Sequence, residues 1–235
     1  MTGILGVGGF VFCSAPNFIY PAGCILMSLW VFHSTISVLL ALNRCLNVFH
    51  KRLTRIFFSG RKPYFYAVPA FFYAVYFIFF TSSIEFTGLR FSWFFNPHYG
   101  YIDDPGQLYH GYAHAVHNTI IIIATVTIYG FFGIILIKNW KKLETANNQT
   151  KRQERVFFQV FLICSCTVIA ASTYVIMNFN FSPEILSVMS TYMLFAIHSL
   201  PPIFYLCLNS SIQQQIFALP ARVASTQPAV SVTVL

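Results

Sequence analysis

The chain has 235 residues, of which 57% are hydrophobic and 9% charged, with a net charge of +8. A soluble domain carries about 25% charged residues, so this composition excludes an ordinary water-soluble enzyme and points to a membrane protein. The six cysteines fall mostly inside apolar runs, which argues against a disulfide-stapled scaffold.

In chain order, residues 3–12, "GILGVGGFVF", read as the last half of a span, too short to cross alone. Five longer apolar runs follow, near 19–42, 64–84, 115–137, 156–178 and 185–208. Each is close to the roughly 20 residues that a helix needs to cross about 30 Å of hydrocarbon. In lipid every segment must satisfy its own backbone groups, so helices follow. The predicted fold class is all-α, a polytopic transmembrane helix bundle of five full spans plus an N-terminal half-span. Residues 1–217 are expected to form the bundle and 218–235 a disordered tail.

The connectors carry the orientation. The segment after the first full span holds Arg44, Lys51, Arg52, Arg55, Arg61 and Lys62, and the one after the third holds Lys138, Lys141, Lys142, Lys151, Arg152 and Arg155. Together they hold twelve of the fourteen basic residues, whereas residues 85–114 hold only Arg90. The positive-inside bias predicts residues 43–63 and 138–155 in the cytoplasm, 85–114 outside, and the C-terminus inside. The basic residues are therefore topology anchors with a possible attraction to anionic lipid or an acidic cytosolic partner. They are not read as a nucleic-acid patch.

The stretch "HGYAHAVHN" places His110, His114 and His117 at i, i+4 and i+7, one face if the whole stretch is helical. The remaining histidines, His33, His50, His98 and His198, lie in other spans and loops and cannot complete a ligand set. The face is read as the polar entrance of a helix or as part of an outer ligand pocket, and no metal or other cofactor is expected. No Asp, Glu or Lys lies mid-span, which weighs against a proton or ion pump. No nucleophile triad, phosphate loop or paired carboxylates stand out, so no catalytic residues are assigned and the chain is not expected to be an enzyme.

Two inner-end features remain. "LLALNRC" closes the first full span with Asn43, Arg44 and Cys45, where Arg44 is either a snorkelling anchor or a switching residue. "HSLPPIFYLCL" ends the last span, and Pro201 and Pro202 remove backbone donors there.

Taken in order, "CSAPNFIYPAG", "LALNRC", "WFFNPHYGY", "YHGYAHAVHN", "QVFLIC" and "IFYLCLNSSI" give a pattern that resembles the nematode serpentine chemoreceptors of the Srt class. The resemblance covers nearly all of residues 3–216. It implies that the five full spans correspond to helices three to seven of a seven-helix receptor, with helix one and most of helix two absent from this sequence. It further implies a plasma-membrane chemosensory receptor, in a sensory cilium, that binds a small external chemical and signals to a heterotrimeric G protein. Asn43, Arg44, Cys45, Pro202 and Tyr205 then become switch candidates, and His33, His114, Asn118 and His198 ligand-pocket candidates. A non-signalling receptor remnant or heteromerising membrane protein stands as the alternative, and a histidine-box metalloenzyme as the third reading.

Overall fold

The computed structural model describes residues 1–104, 108–138, 148–178 and 184–208. The chain is a bundle of long helices capped at one end by a short β-hairpin. A six-residue helix, α1 (Thr2–Val7), precedes a 3-10 turn at Phe12–Ser14. Then come α2 (Pro16–Phe49), α3 (Lys51–Phe58) and α4 (Lys62–Phe80). The hairpin is β1 (Glu85–Thr87) paired antiparallel with β2 (Ser92–Phe94). The last three helices are α5 (Tyr112–Lys138), α6 (Asn148–Asn178) and α7 (Glu184–Leu208). Among the described residues, four helices are long and apolar enough to cross a membrane, namely Pro16–Asn47, Lys62–Phe80, Tyr112–Ile134 and Phe161–Asn178. The continuous apolar part of α7, Glu184–Leu200, is shorter, within a helix of 25 residues.

α2 is the central helix and packs against α4, α5 and α6, while α5 packs on α6 and α6 on α7. With no hydrophobic drive between helices in lipid, small residues permit close approach. α4 shows this division of labour. Ala70, Ala74 and Phe77, at i, i+4 and i+7, are its buried stripe, while Phe65, Phe71, Phe72, Phe79 and Phe80 are exposed. These phenylalanines form an apolar outer face, as a lipid-exposed helix surface requires. The main core lies in the hairpin half, where Met27, Trp30, Val31, Phe77, Phe86, Trp93, Ala170, Ala171, Leu194 and Ile197 pack together. A smaller cluster around Ala41 and Cys164 serves the other half.

Three findings differ from the sequence reading. Residues 3–12 do not form one continuous half-span. α1 ends at Val7, and Gly9 (φ +65°) reverses the chain so that Phe10 N–H donates to Leu5 O at 3.0 Å. Only a glycine takes that left-handed conformation without penalty. The triplet Asn43–Arg44–Cys45 does not close its helix, because α2 continues to Phe49. The hairpin is an addition, since its strands are only three residues long and buried throughout, which leaves no polar–apolar alternation to read. Its turn is held from both sides. Gly88 N–H donates to Phe10 O at 2.7 Å, and Thr191 Oγ1 on α7 donates to the carbonyl of Phe91 at 2.7 Å. Phe91 itself sits at φ 49°, uncommon for a bulky side chain. The tail 218–235 lies outside the described residues.

Candidate functional site

The hairpin end of the bundle gathers the polar groups that the membrane makes expensive. α5 starts at Tyr112, so His110 precedes the helix and the expected three-histidine face is not formed. A Cβ at Gly111 would run into the Phe95 ring, so this position lets the β2 loop press against the chain just before the helix. Gly111 N–H donates to Asn178 Oδ1 at the end of α6, 3.2 Å away.

His114 and His117 diverge once inside. His114 is 4% exposed and Asn118 fully buried. Trp30 Nε1–H on α2 donates to Asn118 Oδ1 at 2.9 Å, and the Asn118 amide reaches His114 Nε2 at 3.3 Å. One helical turn along α2, Ser34 Oγ donates to Trp30 O at 2.8 Å. With that single hydrogen used, Ser34 Oγ accepts from His117 Nε2 at 2.8 Å. The other nitrogen, His117 Nδ1, then accepts from the Tyr73 hydroxyl of α4 at 3.3 Å. A continuous polar seam thus crosses α4, α5 and α2, with each ring nitrogen that it uses paired. His114 also packs edge-on against Tyr174 of α6, ring centroids 5.8 Å apart.

Above the seam is a recess of about 190 Å³ lined by Tyr76, Phe80, Thr81, Ser82, Phe95, His110, Tyr112 and His114. The lining mixes aromatic faces with a few hydroxyls and imidazoles, as small-molecule sites do. His110 and His114 both line it, which brings together two members of the sequence cluster by a different route from a shared helix face. In β1, the carboxyl of Glu85 is buried, and Oε2 has no hydrogen-bond partner. Burial raises its pKa to about 7 against a weaker opposing effect of Ser83.

The remaining pocket candidates, His33 and His198, meet each other across α2 and α7 with ring centroids 5.3 Å apart. His114 and Asn118 meet on α5 instead, so the four candidates form two pairs and not one pocket. Trp30, Ser34 and Tyr73 are site residues that the candidate set lacks. Their signal in the sequence is faint: a lone Trp one turn before Ser34, and a Tyr in a run of aromatic residues.

At the opposite end, Asn43 and Arg44 are half-buried and Cys45 is buried. Arg44 Nε is buried and has no hydrogen-bond partner. Pro202 is exposed on α7, and Tyr205 lies on the same helix. The two groups of switch candidates therefore sit in the last turns of helices that both run away from the hairpin. No disulfide joins the cysteines, and Cys13 instead lies 3.5 Å from the Tyr101 hydroxyl and 3.8 Å from His98 Nδ1.

No curated protein and no solved structure matches the chain. The sequence profile described as "Serpentine type 7TM GPCR chemoreceptor Srt" matches residues 1–227. With apolar helices of membrane-crossing length, a hydrogen-bonded polar seam between them and that match over nearly the whole sequence, this multi-pass membrane protein belongs to the Srt family of serpentine chemoreceptors.

Proposed function

We propose that the chain binds a small lipophilic chemical at the hairpin end and signals to a heterotrimeric G protein at the opposite, basic end. In this reading the hairpin faces outside and the basic connectors and C-terminus face the cytoplasm of a plasma membrane, such as that of a sensory cilium. Residues 1–217 act as the receptor body and 218–235 as its tail. The protein works by binding and not by catalysis. The observation that carries the reading is the route from the recess to α2: His114 lines the recess and is bonded through Asn118 to Trp30, on the helix that bears Arg44. A ligand that moves the His114 ring changes the partners of α2, and a ligand shifts an equilibrium only by such differential contacts. Asn43, Arg44, Cys45, Pro202 and Tyr205 are the proposed inner-face switch, in which the buried Nε of Arg44 has no hydrogen-bond partner. His33 and His198 are proposed to couple α2 to α7.

G-protein dissociation in cells that express the chain, challenged with a panel of small apolar volatiles, tests the proposal. The expected result is a response to some members that falls at least about tenfold in potency in His114→Phe, which keeps ring volume but loses the bond to Asn118. Silence to the whole panel at confirmed surface expression favours the non-signalling alternative. An unchanged potency in His114→Phe removes the recess from the proposal.

A further inference from the structure

None of the side chains of α3, Lys51–Phe58, is buried. At about 3.6 residues per turn, Lys51, Arg52 and Arg55 gather on one side, and Leu53, Ile56 and Phe57 on the other. These three apolar residues are 37%, 49% and 47% exposed. The neighbouring Phe58 is turned inward instead, against Tyr66 of α4 with ring centroids 5.6 Å apart. The short helix thus has a packed residue that sets its rotation and, among the described residues, an apolar stripe left about half exposed.

Its level along the bundle is fixed by its neighbours. α2 ends at Phe49 and α4 begins at Lys62, both helices of membrane-crossing length and composition. The turn between α3 and α4 is closed by Lys62 Nζ, which donates to Ile56 O at 2.5 Å, and by Gly60 at φ +61°. α3 therefore lies where the spans leave the hydrocarbon. An isolated helix of eight residues is unstable in water, so this one needs a partner for its stripe. Residues 44–84 contain no Asp or Glu, and among the described residues none of Lys51, Arg52 or Arg55 forms an ion pair. α3 thus carries a half-exposed apolar side and a basic side without ion pairs among the described residues.

We propose that α3 is an interfacial anchor that binds anionic lipid: Leu53, Ile56 and Phe57 enter the acyl boundary while Lys51, Arg52 and Arg55 take acidic headgroups. This combination of a buried apolar stripe and a basic face is what holds monotopic helices in an interface. Each basic residue near an anionic surface contributes about fivefold to its preference over a neutral one. The proposal is independent of any ligand or G protein.

The test uses the full chain in nanodiscs of phosphatidylcholine, alone or mixed with phosphatidylserine. In Phe57→Trp, acyl-chain-brominated lipid is expected to quench the added indole relative to the parent chain. Native mass spectrometry is expected to find phosphatidylserine retained over phosphatidylcholine, and K51Q/R52Q/R55Q is expected to reduce that preference by more than tenfold while leaving helix content unchanged. An unquenched, water-like indole overturns the interfacial placement. Equal retention of the two lipids, or a preference that survives the triple substitution, overturns the anionic headgroup assignment. Burial of the indole that instead tracks the number of chains per disc assigns the stripe to a second copy and also overturns the proposal.

Discussion

The two halves of α2 meet the same lipid problem in opposite ways. In the hairpin half, Trp30 and Ser34 spend their polar groups on neighbours: indole to Asn118, hydroxyl to the backbone and to His117. In the basic half, Arg44 has a buried Nε without a partner. The hairpin half also holds most of the core, with Trp30, Phe77, Phe86 and Trp93 in one cluster. The lesson concerns which groups are free to change partners. A fully bonded seam fixes geometry because breaking it leaves buried donors unpaired, at about 1–3 kcal/mol each. A guanidinium with an orphaned nitrogen has little to lose by moving.

The largest effect expected from this contrast is at Gly23. A Cβ there would overlap the carbonyl of Ile84, so Gly23→Ala must push α2 away from the segment leading into the hairpin. The cost should reach or exceed the roughly 3 kcal/mol of ordinary overpacking, read as loss of a cooperative melting transition in detergent. A normal melt would show that the hairpin end is softer than its packing implies.

Next comes Asn118→Ala, which leaves the Trp30 indole and His114 without their partner and should cost about 1–3 kcal/mol. Trp30→Phe combined with Asn118→Leu should be milder than Asn118→Ala, because both polar groups go together. If the pair is the worse variant, the seam holds by shape and not by hydrogen bonding.

Glu85 sharpens the comparison through pH. Its carboxyl titrates near 7 in the fold, raised from an ordinary 4.5. A raised acid binds its proton more tightly in the folded state, so stability should be highest below about pH 4.5 and fall as pH rises to 7. Melting temperature against pH should slope downward across that window, and Glu85→Gln should flatten the slope.

Arg44→Ala should have the smallest effect on stability, about 1 kcal/mol or less, while lowering G-protein coupling at matched surface levels. The five other basic residues of its connector, Lys51, Arg52, Arg55, Arg61 and Lys62, can serve as topology anchors in its place. Equal coupling in mutant and parent returns Arg44 to a snorkelling anchor.

Hydrophobic length made the long helices legible in the sequence, because lipid turns composition into secondary structure almost directly. His114 and Asn118 were legible as buried, hydrogen-bonded residues because polar groups are rare in such runs and imply partners. Their partners were not. Trp30 reads as one more apolar residue until its indole N–H is seen to face an amide, and Tyr73 is one of many aromatic rings in α4. The start of α5 at Tyr112 was not legible, because helical spacing continues backwards through His110. The Phe95 ring against Gly111, a tertiary contact from 16 residues upstream, leaves no trace in local periodicity.

The seam also sets an order on biogenesis. Trp30 is 88 residues before Asn118, and Ser34 is 83 before His117. At a synthesis rate of about 5–20 residues per second, α2 must wait roughly 4–18 s for α5. Ser34 can endure the delay, since its hydroxyl bonds within its own helix. The indole of Trp30 has no such reserve in its seam, and the newborn span must keep that N–H in contact with headgroups, translocon or chaperone until its amide partner arrives.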